Sequence, residues 1–207
     1  MSSLATVKHV LKMTAGRAIG LFPGSFNPAH SGHLHVARAG LRQLALDEIW
    51  WIPSPQNPLK SAQPPYMQRA TTVTKLGLPP RMKLSHIERT HGTNKTIDLL
   101  KGFEQRRDMS RYVLMIGADN FAQFPRWSDW KGIAARIPIA VIARQALSVR
   151  GAFRPRLGQA ARFLADKRID EKDAHILQWS TPPAWCYLTL PMNPLSSTQI
   201  RAQSATQ

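Results

Sequence analysis

Cys186 is the only cysteine in the chain. No internal disulfide can form, so nothing in the sequence points to an oxidising compartment. Long apolar runs are also missing. A bilayer span needs roughly 20 such residues, and stretches such as Ile137 to Ala143 are far shorter. A cytoplasmic protein with no membrane partner is therefore expected. Acidic residues are scarce, 12 against 28 Lys and Arg, and Asp47 is the first of them. They form no cluster, so no site built from paired carboxylates is expected.

The resulting formal charge of +16 attracts polyanions, whether nucleic acid, acidic lipid or nucleotide phosphates. The basic residues are spread along the chain without a dense block or interleaved aromatics, and no nucleic-acid reader motif is present. A basic nucleic-acid-binding protein on a Rossmann-like shell is thus the rival from another class, and no specific nucleic-acid partner is expected. Residues 1–16, carrying Lys8 and Lys12 but no acid, read as a basic N-terminal extension. It is either a transit peptide or a poorly ordered leader, with Met13 as an alternative start.

A length of 207 residues suits one domain, expected over residues 17–207. Short apolar β-type runs alternate with longer helical ones, which predicts an α/β fold with a mostly parallel sheet and helices on both faces. Strands are expected at Ala18–Phe22, Glu48–Ile52, Arg81–Ile87, Tyr112–Ile116, Pro138–Ala143 and Trp185–Leu190. Helices are expected at Ser31–Leu46, Met67–Leu76, Thr96–Arg107, Trp127–Ala135 and Leu157–Lys167. In the first helix Leu34, Ala37, Leu41 and Leu44 share a face. Two loops are rich in helix and strand breakers, Pro53–Pro65 and Ala143–Pro155.

The most informative stretch is Gly20-Leu21-Phe22-Pro23-Gly24-Ser25-Phe26-Asn27-Pro28-Ala29-His30-Ser31-Gly32-His33. A strand runs into a glycine turn, a loop and a helix start. Such a junction aims free N–H groups and the positive end of the helix at an anion. Gly24 leaves room for the backbone to approach phosphate. His30 and His33, three apart, can face the same space. Alone, two such histidines could be ordinary helix-start residues or metal ligands. Over a phosphate site they suit phosphoryl-type chemistry, in which the protein positions reactants and stabilises negative charge. Near the other end Ser197 and Thr198 can cap a helix, and Arg201, one turn on, can fork onto phosphate.

Gly24-Ser25-Phe26-Asn27-Pro28 with His30-Ser31-Gly32-His33 resembles the His-x-Gly-His signature of the nucleotidyltransferase superfamily. Leu195-Ser196-Ser197-Thr198-Gln199-Ile200-Arg201 resembles the Ile-Ser-Ser-Thr-x-Ile-Arg element of its adenylyltransferase branch. Gly117-Ala118-Asp119-Asn120, followed by Phe124-Pro125-Arg126-Trp127, is similar to a segment of the bacterial nicotinate mononucleotide adenylyltransferases. Asn57-Pro58-Leu59-Lys60 resembles their proline-rich loop, and Thr93-Asn94-Lys95-Thr96 matches their Ser-Tyr-Thr element in part, with Lys95 where an aromatic is usual.

The resemblance spans Ile19 to Arg201 and implies a Rossmann-like nucleotidyltransferase fold. The implied reaction passes AMP from ATP to nicotinate mononucleotide, giving deamido-NAD and pyrophosphate. It implies His30 and His33 as catalytic residues. It implies an ATP site of Gly24, Ser25, Phe26, His30, His33, Lys60, Gly117, Asp119, Ser197, Thr198 and Arg201. The acceptor site it implies is Ser25, Lys60, Thr96 and Trp127, with Trp127 stacked on the pyridine ring; a core role for Trp127 is the alternative. Magnesium is expected to arrive with ATP, with no protein metal site and no tightly bound cofactor. Nicotinamide mononucleotide and phosphopantetheine are the alternative acceptors. Either a monomer or a homo-oligomer fits.

Overall fold

The computed structural model describes residues 16–56, 59, 63–104, 109–143 and 158–190. Seven strands form one sheet: β1 (Ala18–Gly24), β2 (Glu48–Pro53), β3 (Met82–Leu84), β4 (Arg111–Gly117), β5 (Ile139–Ala143), β6 (Arg168–Ile169) and β7 (Trp185–Thr189). Their order is β3-β2-β1-β4-β5-β7-β6. Every pairing is parallel.

The helices are α1 (Ser31–Gln43), α2 (Tyr66–Thr74), α3 (Ile87–Thr90), α4 (Thr96–Glu104), α5 (Ala118–Gln123), α6 (Trp130–Arg136) and α7 (Gly158–Phe163). Short 3₁₀ segments lie at Phe124–Arg126, Ala165–Lys167 and Glu171–Trp179. No helix among the described residues is long and apolar enough to cross a membrane.

Because side chains alternate along a strand, the sheet feeds two cores. Phe22, Trp51, Val113, Met115 and Ile142 lie with α1 residues Val36 and Ala37 and with Val73 of α2. Leu21, Ile52, Leu114, Ile116 and Val141 lie on the other face with Ile97, Leu100, Phe121, Phe124 and Ile133. Both faces are apolar because both are covered, as parallel sheets require. The two-faced α/β arrangement agrees with the reading of the sequence.

Several element boundaries differ from expectation. Helix α1 ends at Gln43 with Leu44 as its C-cap, and Ala45 turns left-handed at φ 51°. Gln178 donates to the carbonyls of Leu44 (3.0 Å) and Ala45 (2.8 Å), closing that end. The helix buries Val36, Ala37, Ala39 and Gly40 most deeply, while Leu34 and Leu41 flank that strip. At Gly40 the helix faces Met115, where a Cβ would lie 2.2 Å from Cε, the flexible end of that side chain.

Trp127 lies outside any α-helix, because Asp129 caps α6 by accepting from the Gly132 N–H at 3.1 Å. The expected strand Arg81–Ile87 shortens to β3, and Ile87 opens α3. Strand β6 and helices α3 and α5 are too short to carry a readable period. The loop Ala143–Pro155 lies outside the described residues beyond Ala143.

Candidate active site

The sheet order sets β1 between β2 and β4: the chain runs outward from β1 through β2 to β3, then crosses back to β4 on the other side of β1. Open α/β sheets bind ligands at the carboxyl edge of this reversal. Gly24 ends β1 beside Pro53 of β2, and Gly117 ends β4 on the other side. The loop from Gly24 to His30 and the start of α1 therefore stand over that switch point.

The histidines form the N-cap of α1. His30 is the capping residue, and its Nδ1 accepts the Gly32 N–H at 3.1 Å. His33 returns the contact, its Nδ1 accepting the His30 N–H at 3.3 Å. This is a capping box made from two imidazoles, where Ser or Thr with Glu is usual. A ring nitrogen that accepts a bond carries no proton, so the neutral rings hold theirs on Nε2. The ring centroids are 4.0 Å apart. Both side chains are nearly buried, 4% exposed for His30 and 8% for His33. The first turn of α1 contains no acid that would offset the positive helix end.

The loop that carries them is strained and braced. Phe26 adopts φ 45°, a left-handed conformation that costs a non-glycine residue roughly 1–3 kcal/mol. Its buried ring lies 5.2 Å from Trp51, 5.6 Å from Phe22 and 5.2 Å from His33. A Cβ at position 24 would meet the Phe26 ring at 2.9 Å, so Gly24 is required by loop packing as well. The Ser54 N–H donates to the Gly24 carbonyl at 3.0 Å, tying the end of β2 to the loop.

Helix α2 supports the loop from outside. Arg69, 1% exposed, donates from Nη1 to the Ser25 carbonyl at 2.7 Å. From Nη2 it reaches the carbonyls of Ser54 (2.8 Å) and Pro55 (2.7 Å), and from Nε that of Pro64 (3.0 Å). One turn later Thr72 Oγ1 accepts the Ala29 N–H at 2.9 Å. Neither residue stood out in the sequence. The available signal was a charged residue at the spacing of the apolar positions Val73 and Leu76. Burial lowers the Arg69 pKa, and the Tyr66 phenol opposes that.

Glu88 was also missed. It is 2% exposed in α3, and burial pushes its carboxyl up to about 8 despite a hydrogen bond with Ser54. Its backbone carbonyl accepts the Thr93 N–H at 3.0 Å. Thr93 in turn bonds Asp98 (2.9 Å) and receives the Lys95 N–H (3.1 Å), which orders the entry to α4, where Thr96 is the first residue.

Asp119 is exposed in the first turn of α5, directly after β4. Trp127 is half-buried and meets Phe124 edge-on at 5.4 Å, so core packing holds part of its surface. Thus Gly24, Ser25, Phe26, His30 and His33 come together in one loop and helix start, and Gly117 and Asp119 follow the neighbouring strand. Thr96 and Trp127 belong to separate segments packed on the second core. Lys60, Ser197, Thr198 and Arg201 lie outside the described residues. Among those described, no three His, Cys, Asp or Glu side chains group as a metal site.

A two-histidine helix start at the switch point of a parallel sheet defines a nucleotide-binding α/β domain of the nucleotidyltransferase class. The sequence profile of the cytidylyltransferase-like family matches residues 21–203. A Parvibaculum lavamentivorans protein named "Probable nicotinate-nucleotide adenylyltransferase" is 42% identical over 191 residues, 91% of this chain and 93% of its own length. A Ruegeria pomeroyi protein of the same name is 40% identical over 188 residues, 90% of this chain and 86% of its own. The Plasmodium falciparum nicotinic acid mononucleotide adenylyltransferase, solved in complex with NaAD, superposes with a TM-score of 0.62 at 16% identity. That superposition covers 90% of this chain and 83% of the other, and shows the shared fold. The chain belongs to the cytidylyltransferase-like family and, within it, to the nicotinate-nucleotide adenylyltransferases.

Proposed function

We propose that the chain transfers AMP from ATP to nicotinate mononucleotide, releasing pyrophosphate and forming deamido-NAD. The observation that carries this reading is the reciprocal cap of His30 and His33. It sets two imidazole rings, their centroids 4.0 Å apart, at a helix N-terminus, which suits a triphosphate whose charge shifts during transfer.

In the proposed step an oxygen of the acceptor phosphate bonds to the α-phosphorus. The bond from the α-phosphorus to the oxygen bridging to the β-phosphorus breaks, and pyrophosphate leaves. The attacking phosphate monoester has a second pKa of about 6, so near neutrality it has no proton to lose and the enzyme needs no general base. His30 and His33 stabilise charge on the triphosphate, with Lys60 and Arg201 as further cations and with Ser197 and Thr198 capping a helix end that holds phosphate. Asp119 takes ribose hydroxyls, and Trp127 and Thr96 meet the pyridine side of the acceptor. Magnesium enters as part of the ATP substrate.

A pyrophosphate-release assay with nicotinate mononucleotide, its amide and phosphopantetheine tests the assignment, beside a salt-dependent gel shift with RNA and DNA. Turnover with the nicotinate acceptor is expected. Turnover with another acceptor alone, or tight nucleic-acid binding without turnover, would overturn it.

A further inference from the structure

One buried guanidinium joins four described backbone carbonyls around the phosphate loop on the β2 side. Arg69 bonds the carbonyls of Ser25, Ser54, Pro55 and Pro64. Among the described residues it pairs with no carboxylate; its remaining contact is with the Tyr66 ring, 5.8 Å away. Four aligned carbonyls are an unusual environment for a fully buried cation, because most such charges are paired. The backbone has therefore been shaped around the arginine.

The consequence falls on the strained residue. A peptide unit is planar and trans, so its C=O and N–H point in opposite directions. Drawing the Ser25 carbonyl onto Arg69 turns the Phe26 N–H of the same unit away from α2. Phe26 then continues at φ 45°, and Thr72, on the same face of α2, holds the Ala29 N–H. Both ends of the loop are thus pinned from one helix. The same guanidinium fixes Ser54, which is bonded to the Gly24 carbonyl and to Glu88.

We propose that Arg69 is a positioning residue for nucleotidyl transfer. It holds the Ser25–Phe26 peptide and the Ser54–Pro55 turn against each other, so that the phosphate cradle is formed before ATP binds. The proposal rests on the adenylyltransferase reading above. It predicts a loss in turnover greater than the loss in ATP binding, since a small misplacement remote from the reacting atoms costs about a hundredfold in rate.

The test compares wild type, Arg69→Ala and Arg69→Lys for kcat and for the KM of ATP. Hydrogen exchange is read at residues 24–29 and 54–56, with strand residues 111–117 as the internal reference. In Arg69→Ala, kcat is expected to fall about a hundredfold, while the KM of ATP stays within about fivefold. Exchange quickens in the two loops and not in the strand, and added methylguanidinium restores both rate and loop protection. Arg69→Lys remains impaired, because one ammonium cannot span four carbonyls held in a fork.

A folded Arg69→Ala protein with kcat within about threefold of wild type overturns the proposal. So does exchange that rises equally in the strand, with activity lost only in proportion to the unfolded fraction. If the alanine variant does not fold, Arg69→Lys decides on the same criteria. A wild type inactive with nicotinate mononucleotide defeats the substrate reading instead. Exchange with and without ATP then still judges Arg69. ATP-induced protection at 24–29 that is diminished in the variant supports the proposal, and equal protection in both proteins overturns it.

Discussion

His33 Nδ1 accepts the backbone N–H of His30 at 3.3 Å, so each imidazole is fixed by the helix that the other caps. In both rings Nδ1 accepts a backbone N–H at the start of α1, so the capping role can be separated from the catalytic role proposed above.

That division yields a test with two variants. His33→Ala should lower turnover about a hundred- to a thousandfold, the usual effect of removing one donor to developing charge, and should also destabilise α1 by about 1 kcal/mol. His33→Asn keeps an oxygen near the Nδ1 position, so it should retain most of the stability and still lose turnover. His30→Ala should place a larger share of its loss in ATP binding. Steady-state kinetics and thermal melts check all three. A His33→Ala enzyme retaining more than about a tenth of wild-type turnover would contradict a transition-state role.

Acceptor choice is expected to favour the acid over the amide. In the proposed site, backbone donors near Thr96 and Trp127 would suit a carboxylate and leave the amide N–H mismatched. Trp127→Ala should raise the acceptor KM and leave that of ATP nearly unchanged, though part of the Trp127 surface packs on Phe124. Measuring kcat/KM for both acceptors in both proteins checks this. Equal efficiency with acid and amide would show that this edge of the site does not select the carboxylate.

Glu88 gives a prediction about pH. Its carboxyl is held up to about 8 in the folded protein, against about 4.3 in an unfolded chain. Between those values the native state binds the extra proton, so stability falls as pH rises through the window and levels off above it. Glu88→Gln keeps a partner for Ser54 without the charge. It should raise stability by about 2–4 kcal/mol at neutral pH and flatten the decline, with little effect near pH 4. Denaturant melts across that range read the effect. A Gln variant with the wild-type pH slope would show that Glu88 is not the group responsible.

Two glycines against the same methionine should behave differently. A Cβ on Gly20 would lie 2.6 Å from Met115 Sδ and 2.8 Å from Leu46 Cδ1, so Gly20→Ala should cost about 1–3 kcal/mol by overpacking. On Gly40 the closest contact is the terminal Met115 methyl, which can swing aside, and alanine favours the helix by about 1 kcal/mol. Gly40→Ala should therefore be near neutral. Urea melts of the two variants check the order, and a costlier Gly40→Ala would reverse the packing interpretation.

The sequence was most legible where one local pattern carried the information. The apolar run Ala18–Phe22 with its glycine turn announced β1, and the spacing of His30 and His33 located the helix start. Sheet order and the two covered faces agreed with the expected α/β class. What could not be read was support from a distance. Arg69 and Ser25 are far apart in sequence, and no local period reveals that one side chain collects four carbonyls. Glu88 resembled an ordinary surface acid until β2 and α2 closed over it. Asp129 moved the start of α6 past Trp127 because a left-handed cap, set by its own side chain, overrode the apolar spacing.

The central claim is AMP transfer to the phosphate of nicotinate mononucleotide, and ³¹P NMR of the wild-type protein with magnesium, ATP and that acceptor tests it most directly. The three ATP resonances should decline together as inorganic pyrophosphate and the paired phosphorus signals of a dinucleotide grow in equal amounts. Unchanged ATP, or conversion of ATP to ADP with no dinucleotide signal, would contradict it.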